Sequence, residues 1–189
     1  EPLNFNGLQG AQEVGMGDTI TGMLESQGTS TIVFCARSIA RLSGVSLSLQ
    51  QETISSKVGA FAYSCVAVGA VPTFTNQNGV STLESTAAYG DFAGGDATGA
   101  VTPRLATKLI DDTASFDIGG VVGAFPVRVK NQYRLILRDG TVYSINDPAG
   151  QKPATMISNW ADSWTTTQNN LRIPLAWSSE VDDFGEEFL

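Results

Sequence analysis

Short apolar stretches recur along this chain between glycine and polar turn residues, and most of them alternate apolar with polar positions. The clearest pair, residues 133–138 and 141–145, flanks Asp139 and Gly140. An Asp-Gly pair tolerates the positive φ angles of a two-residue hairpin turn, and a period of two is typical of a half-buried strand. This segment therefore predicts a β-hairpin.

A second hairpin is predicted upstream. Residues 31–34 and 39–42 are apolar or β-branched stretches on either side of a turn at Arg37 and Ser38. Val, Ile and Phe favour strands because their side chains pack well on a pleated surface. On a strand, Arg37 and Arg41 would point to the same side because they lie four residues apart. Charged side chains are typical of strands at the edge of a sheet, so we interpret the returning stretch as an edge strand protected by charge.

One four-residue sequence occurs twice. Val-Gly-Ala-Phe occupies residues 58–61 and again residues 122–125, in both cases opening an apolar strand. A glycine turn and a short strand follow each copy, the first at residues 78–79, where Asn-Gly separates residues 71–75 from residues 80–83. A unit used twice, with strands of about five residues, is typical of stacked sheets or propeller blades.

One helix is predicted, at residues 101–110, because Thr102 can cap it and Pro103 fits its first turn. The preceding residues 90–99 are rich in glycine, and we expect a surface loop there. The predicted fold class is therefore all-β, mainly antiparallel, with one short helix near 101–110.

Length and composition limit the class of protein. We predict a single β-rich domain over residues 1–189, as a processed product or as a fragment or ordered part of a longer chain. A hydrophobic content of 42% with 16% charged residues excludes disorder. No stretch approaches the roughly 20 apolar residues of a membrane-spanning helix. A net charge of −8 argues against a protein whose affinity comes from neutralising phosphates.

The sequence contains no histidine, which removes the commonest general base and metal ligand and every Ser-His or Cys-His mechanism. Cys35 and Cys65 each lie in an apolar run, where a free cysteine packs as a small buried hydrophobe. They do not form a Cys-x-x-Cys pair, so no zinc or redox site is expected. We favour two structural thiols and keep a Cys35–Cys65 disulfide as the alternative.

Acidic pairs are the remaining candidates for chemistry. A glycosidase needs two carboxyl groups roughly 5 to 10 Å apart across its substrate. Adjacent residues on a strand point to opposite faces, so Asp111 and Asp112 do not supply such a site, and surface charge is favoured. Residues 91–96 begin and end in Asp but lack the ligand spacing of a calcium loop. We predict no enzymatic activity, no metal and no cofactor.

Segments spread over most of the chain carry a resemblance to a known family. Residues 31–38 read like a family strand that ends in Phe-x-x-Arg-Ser, and residues 51–60 are similar to a family stretch that ends in Val-Gly before an apolar strand. The shorter matching segments are residues 12–20, 41–44, 78–83, 89–91, 101–103, 133–145, 173–177 and 183–185. Together these segments resemble the tail proteins of short-tailed bacteriophages.

The resemblance implies a tail nozzle or hub protein, sometimes called a tail tubular protein. Such a protein is a structural virion subunit that contains a β-propeller, here expected as a propeller-like or partial propeller fold. Copies form a homo-oligomeric ring, typically a hexamer, that attaches to the portal and adaptor and gates the channel for DNA ejection. The chain would then be located in the virion tail after assembly in the host cytoplasm.

An acidic ring would repel the DNA backbone, so that double-stranded DNA passes without specific binding. The candidate channel-facing residues are all acidic and lie in four parts of the chain: Asp91, Asp96, Asp111, Asp112, Asp182, Asp183, Glu186 and Glu187.

Two other functions remain open on the sequence. A carbohydrate-binding or carbohydrate-cleaving β module of a receptor-binding tail protein needs exposed aromatic rings beside carboxylates, and Trp160, Asp162 and Trp164 form the one local grouping of that kind. A secreted β-sandwich is the third possibility, and it predicts the Cys35–Cys65 disulfide.

Overall fold

The computed structural model describes residues 14–26, 30–44, 49–76, 79–86, 91–96, 121–137, 141–148, 154–159, 180–181 and 187–188. Over these ranges the chain forms three four-stranded antiparallel sheets and one two-stranded sheet, with no helix. No helix in this part of the chain is long and apolar enough to cross a membrane. The prediction of a mainly antiparallel β fold is confirmed, whereas the helix predicted at 101–110 lies outside the described residues.

Each four-stranded sheet is built from consecutive strands, so that every neighbour in a sheet is also the neighbour in sequence. Sheet 1 contains β1 (Ile20–Glu25), β2 (Ser30–Cys35), β3 (Ile39–Ser43) and β4 (Gln50–Ser55). Sheet 2 contains β5 (Val66–Val68), β6 (Val71–Asn76), β7 (Gly79–Thr86) and β8 (Asp91–Asp96). Sheet 3 contains β9 (Val121–Val127), β10 (Gln132–Leu137), β11 (Thr141–Asn146) and β12 (Ala154–Asn159). The short strands β13 (Glu180–Val181) and β14 (Glu187–Phe188) pair with each other.

All three predicted hairpins are confirmed by strand pairing. Leu135 in β10 lies opposite Tyr143 in β11, and Phe34 in β2 lies opposite Ile39 in β3. Strand β6 pairs with β7, which begins at Gly79 with a φ of 127°. That backbone conformation favours glycine, which accounts for the glycine at this turn.

Three sequence interpretations were wrong in detail. Residues 91–96 are not a loop but strand β8, because the eight-residue strand β7 offers a backbone partner that outweighs the low strand propensity of glycine. Residues 58–61 connect sheet 1 to sheet 2 and do not open a strand, whereas residues 122–125 lie within β9. Arg41 lies on β3, an interior strand, where it forms a 3.3 Å ion pair with Glu52 of β4.

The sheets pack on one another through two apolar layers. In the layer between sheets 1 and 2, the rings of Phe34 and Phe74 are tilted with their centroids 5.2 Å apart, a geometry worth about 0.5–1.5 kcal/mol beyond burial alone. This layer consists of Ile32, Phe34, Ile39, Ala60, Phe74 and Leu83. The layer between sheets 2 and 3 consists of Phe61, Val68, Val80, Val121, Tyr133, Leu135, Leu137, Tyr143 and Ile145. Each fully buried large side chain contributes about 1.5–3 kcal/mol of transfer free energy.

Neighbouring sheets contact each other through particular strands. The first strand of sheet 2, β5, contacts the first strand of sheet 3, β9. The fourth strand of sheet 1, β4, contacts the fourth strand of sheet 2, β8. Sheets 2 and 3 thus meet at their first strands, where β5 also contacts β10, and sheets 1 and 2 meet at their fourth strands. No sheet closes on itself over the described ranges.

Candidate functional site

The structure describes three of the eight candidate acidic residues. Asp91 and Asp96 begin and end β8, opposite Thr86 and Ser81 of β7, and Glu187 lies in β14. At about 3.3 Å per residue, the two ends of β8 are about 17 Å apart. That separation exceeds the spacing of a glycosidase pair or of two ligands on one cation. The other five candidates, Asp111, Asp112, Asp182, Asp183 and Glu186, lie outside the described residues.

The most specific polar arrangement in the described structure is buried between sheets 2 and 3. Tyr133 is fully buried, and its hydroxyl donates a hydrogen bond of 2.8 Å to the carbonyl oxygen of Ser64. The same hydroxyl accepts a 2.8 Å hydrogen bond from Thr75 Oγ1. Burial raises the pKa of Tyr133 well above its usual range, so the phenol stays protonated and keeps donating.

Ser64, in the segment that leads into sheet 2, completes this arrangement. Its hydroxyl donates to the Phe61 carbonyl at 2.7 Å, and it accepts a 3.1 Å hydrogen bond from the backbone N–H of Thr75. Because Ser64 and Thr75 are both fully buried, these bonds satisfy polar groups that would otherwise be costly. We call Ser64, Thr75 and Tyr133 the buried triad; it fixes sheet 3 against sheet 2 and has no exposed reactive group.

The connection from sheet 1 to sheet 2 is equally specific. Consecutive backbone N–H groups bind different sheets: Ala60 donates to the Cys35 carbonyl at the end of β2, and Phe61 donates to the Thr75 carbonyl in β6. Gly59 precedes them, and a Cβ at that position would overlap backbone atoms of Cys35 and Ala36. The glycine is therefore required by close approach of two backbone segments.

Asp18 holds the turn between β2 and β3. Its carboxylate accepts 2.8 Å hydrogen bonds from the backbone N–H groups of Thr19 and Arg37 and a 3.2 Å bond from the Ser38 hydroxyl. Burial acts to raise the pKa of Asp18, but these hydrogen bonds, with the Arg37 charge, outweigh it and lower the pKa. The turn at Arg37 and Ser38 is thus capped by a carboxylate.

Both cysteines are free thiols. Burial raises the pKa of Cys65 to about 12 and also raises the pKa of Cys35. The Cys65 sulfur lies 2.9 Å from the position that a Cβ on Gly22 would occupy, so β1 packs directly on the start of sheet 2. The preference for structural thiols agrees with this geometry, and the disulfide expected of a secreted β-sandwich does not form.

The sequence did not single out the buried triad or Asp18. The signal for the triad was a serine between Tyr63 and Cys65 in an otherwise apolar run, since a polar residue there must find a buried partner.

Trp160, Asp162 and Trp164 lie outside the described residues. Among the described residues no three His, Cys, Asp or Glu side chains come close enough to hold a metal ion. Comparison of the chain with models of protein families and with curated proteins found no match.

Proposed function

We propose that this chain is a structural subunit of a short bacteriophage tail, in the nozzle or hub ring that forms and gates the DNA exit channel below the portal and adaptor. The observation that carries the proposal is the succession of three four-stranded antiparallel sheets packed face to face. Propeller blades are four-stranded antiparallel sheets repeated around an axis, and the resemblance to nozzle proteins implies the same architecture.

The contacts between corresponding strands support a propeller-like or partial propeller arrangement. In blades that radiate from an axis, first strands lie next to first strands and fourth strands next to fourth strands. The contacts of β5 with β9 and of β4 with β8 fit this arrangement, and β5 also contacts β10. The three sheets of the described residues would form part of a propeller, which suits a part of a longer protein or a short relative.

The residues that carry the resemblance have stereochemical roles at the joints of this architecture. Phe34 fills the layer between sheets 1 and 2, and the Arg37–Ser38 turn is capped by Asp18. Gly59 allows the chain to cross from sheet 1 to sheet 2 against the backbone of Ala36. We propose that these residues hold the same joints between blades in a nozzle subunit.

A structural role also suits the chemistry of the chain. Histidine is absent from the sequence, and desolvation raises the pKa values of both cysteine thiols, which makes them poorly suited to nucleophilic attack. In a ring, the acidic excess of each copy would add to that of its neighbours and repel DNA, so the genome would slide without binding. We assign this field to the eight candidate acids, of which Asp91 and Asp96 lie at the two ends of β8.

The proposal is tested by locating the chain on intact virus particles. Gold-labelled antibodies raised against the purified chain are expected to bind at the tail, at the single portal vertex of each particle. Antibodies absorbed beforehand with the purified chain control for non-specific labelling. Label on peripheral fibres, or an even distribution over the head, would contradict a nozzle or hub position.

A further inference from the structure

We propose that strand β1 opens as a unit while sheets 2 and 3 stay folded, and that hydrogen bonds to Asp18 control this opening. The open form uncovers the backbone N–H and C=O groups along the edge of β2. This conformational change is a property of the fold and does not depend on the proposed tail function.

Strand β1 lies at the edge of sheet 1 and is embedded much less than its neighbour. None of its residues is fully buried, whereas the last four residues of β2 are. Met23 is 64% exposed and Ile20 is 52% exposed. Leu24 packs on the layer between sheets 1 and 2 but is itself only half-buried. The opening of β1 therefore breaks few apolar contacts.

Two features of β1 weaken its pairing with β2. The register shifts between Ile20 and Gly22, so that two steps along β1 match one step along β2, and such a bulge disrupts the ladder of hydrogen bonds. The hydroxyl of Thr21, at this shift, is enclosed and has no hydrogen-bond partner among the described residues. Opening lets water bind this hydroxyl, which favours the open form.

The start of β1 is held by hydrogen bonds to the turn between β2 and β3. The Thr19 carbonyl accepts a 2.9 Å hydrogen bond from the Ala36 N–H, and the Asp18 carboxylate accepts bonds from the Arg37 N–H and the Ser38 hydroxyl. We call Asp18 and Thr19 the β1 anchor. Hydrogen bonds to an ionised acceptor are about twice as strong as neutral ones. Because these bonds form only when β1 is closed, Asp18 sets the opening equilibrium.

Strand β4, the other edge strand of sheet 1, is held more firmly although most of its residues are also exposed. Glu52 forms the ion pair with Arg41, and β4 contacts β8 of sheet 2. Strand β4 also leads into the crossing at Gly59, where the N–H groups of Ala60 and Phe61 bind different sheets. Release of β4 would therefore disturb sheet 2 as well, whereas release of β1 breaks one strand pairing and the β1 anchor.

Hydrogen exchange of the full chain tests the inference. It is measured by mass spectrometry on peptides that cover β1 and β10, under conditions where protection reports the opening equilibrium. Strand β1 is expected to exchange through an opening that depends weakly on urea, because that opening exposes little surface. Strand β10 is expected to exchange through global unfolding, with a stronger dependence on urea and with protection at least about tenfold higher.

Two variants separate the local opening from global unfolding. Asp18→Ala removes anchor bonds that are lost in both processes, so the protection of β1 and of β10 should each fall about tenfold. Tyr133→Phe breaks the buried triad, which stays intact when only β1 opens. In that variant the protection of β10 should fall, while the protection of β1 keeps its wild-type value.

Glu25→Ala is the matched control. It removes a carboxylate from the other end of β1, and Glu25 is exposed there. The protection of both strands should stay within about twofold of the wild type. If Asp18→Ala loses its β-sheet circular dichroism spectrum, Asp18→Asn replaces it.

Three results would overturn the inference. Equal protection and equal urea dependence of β1 and β10 in the wild-type chain would show that both strands exchange only by global unfolding, and this result needs no variant. Loss of β1 protection in Tyr133→Phe would show the same. Unchanged β1 protection in the Asp18 variant would show that the β1 anchor does not control the opening.

Discussion

The hydroxyl of Tyr133 in sheet 3 donates a 2.8 Å hydrogen bond to the carbonyl oxygen of Ser64 in the segment that leads into sheet 2, 69 residues away in sequence. Both groups are buried, and Thr75 supplies the hydrogen bond that the same hydroxyl accepts. The bond is thus a long-range contact between buried groups, and its removal leaves unsatisfied polar groups between two sheets.

Replacing Tyr133 by Phe is expected to lower the free energy of unfolding by about 1–3 kcal/mol. The ring still fills the apolar layer, but the Ser64 carbonyl and the Thr75 hydroxyl lose their partner. Chemical denaturation followed by circular dichroism measures the change. Tyr63→Phe is the control, because Tyr63 is exposed and its change should stay within about 0.5 kcal/mol. Equal effects of the two substitutions would show that the buried triad contributes nothing specific.

Gly59→Ala is expected to be severely destabilising, by about 2–4 kcal/mol, because the new Cβ would overlap backbone atoms of Ala36 and Cys35. The repeated Val-Gly-Ala-Phe sequence provides the control, Gly123→Ala. A Cβ at Gly123 meets nothing within 4 Å, so this variant should retain or slightly raise stability. The midpoint of thermal unfolding distinguishes the two variants. A mild effect at position 59 would contradict the close crossing between sheets 1 and 2.

The lowered pKa of Asp18 predicts that the folded chain loses stability in acid. Since its pKa is lowered in the folded chain, the carboxylate stabilises the fold above its ordinary pKa of about 3.9. That contribution is lost as pH falls through the lower, folded pKa. Thermal unfolding at pH 6 and at pH 3 should therefore differ less for Asp18→Asn than for the wild type.

The control for this experiment is Glu25→Gln, which removes one negative charge from an exposed position on β1. It should leave the difference between pH 6 and pH 3 as large as in the wild type. If Asp18→Asn and the wild type lose equal stability in acid, the hydrogen bonds from Thr19, Arg37 and Ser38 do not stabilise the charged carboxylate.

The thiols of Cys35 and Cys65 are expected to react slowly with a disulfide reagent at pH 8 in the folded chain. Burial raises both pKa values, that of Cys65 to about 12, so little thiolate is present. After denaturation both should react at the rate of an ordinary cysteine. Rapid reaction of the native protein, or a Cys35–Cys65 disulfide in a non-reducing peptide map, would contradict the structure.

Local patterns in the sequence predicted the hairpins, because alternation and turn chemistry act between residues close in the chain. The pairs around Arg37–Ser38 and Asn78–Gly79 needed no tertiary information. Strand β8 could not be predicted in the same way, since residues 91–96 become a strand by pairing with β7 and not by their own propensity. The strand that contains Arg41 was predicted to be an edge strand, and this prediction failed for a related reason. Strand β3 is interior only because β4 pairs with it, and the local sequence does not reveal that pairing.

The buried triad was beyond sequence reasoning for a different reason. Ser64, Thr75 and Tyr133 come together only when sheet 3 packs on sheet 2, and no periodicity in the chain specifies which polar residues will meet across that layer. The repeated Val-Gly-Ala-Phe sequence shows the limit most clearly. The same four residues form a crossing between sheets at 58–61 and part of a strand at 122–125.

The central claim, that this chain is a blade-containing subunit of a tail ring around a DNA channel, is tested most directly by an electron-microscopy reconstruction of the virus particle that contains it. The expected result is a symmetric ring, coaxial with the portal, in which each copy contributes three adjacent four-stranded sheets and an open channel runs along the axis. Copies found singly at the tips of peripheral fibres, or a ring in which density for three stacked sheets is missing, would contradict the account.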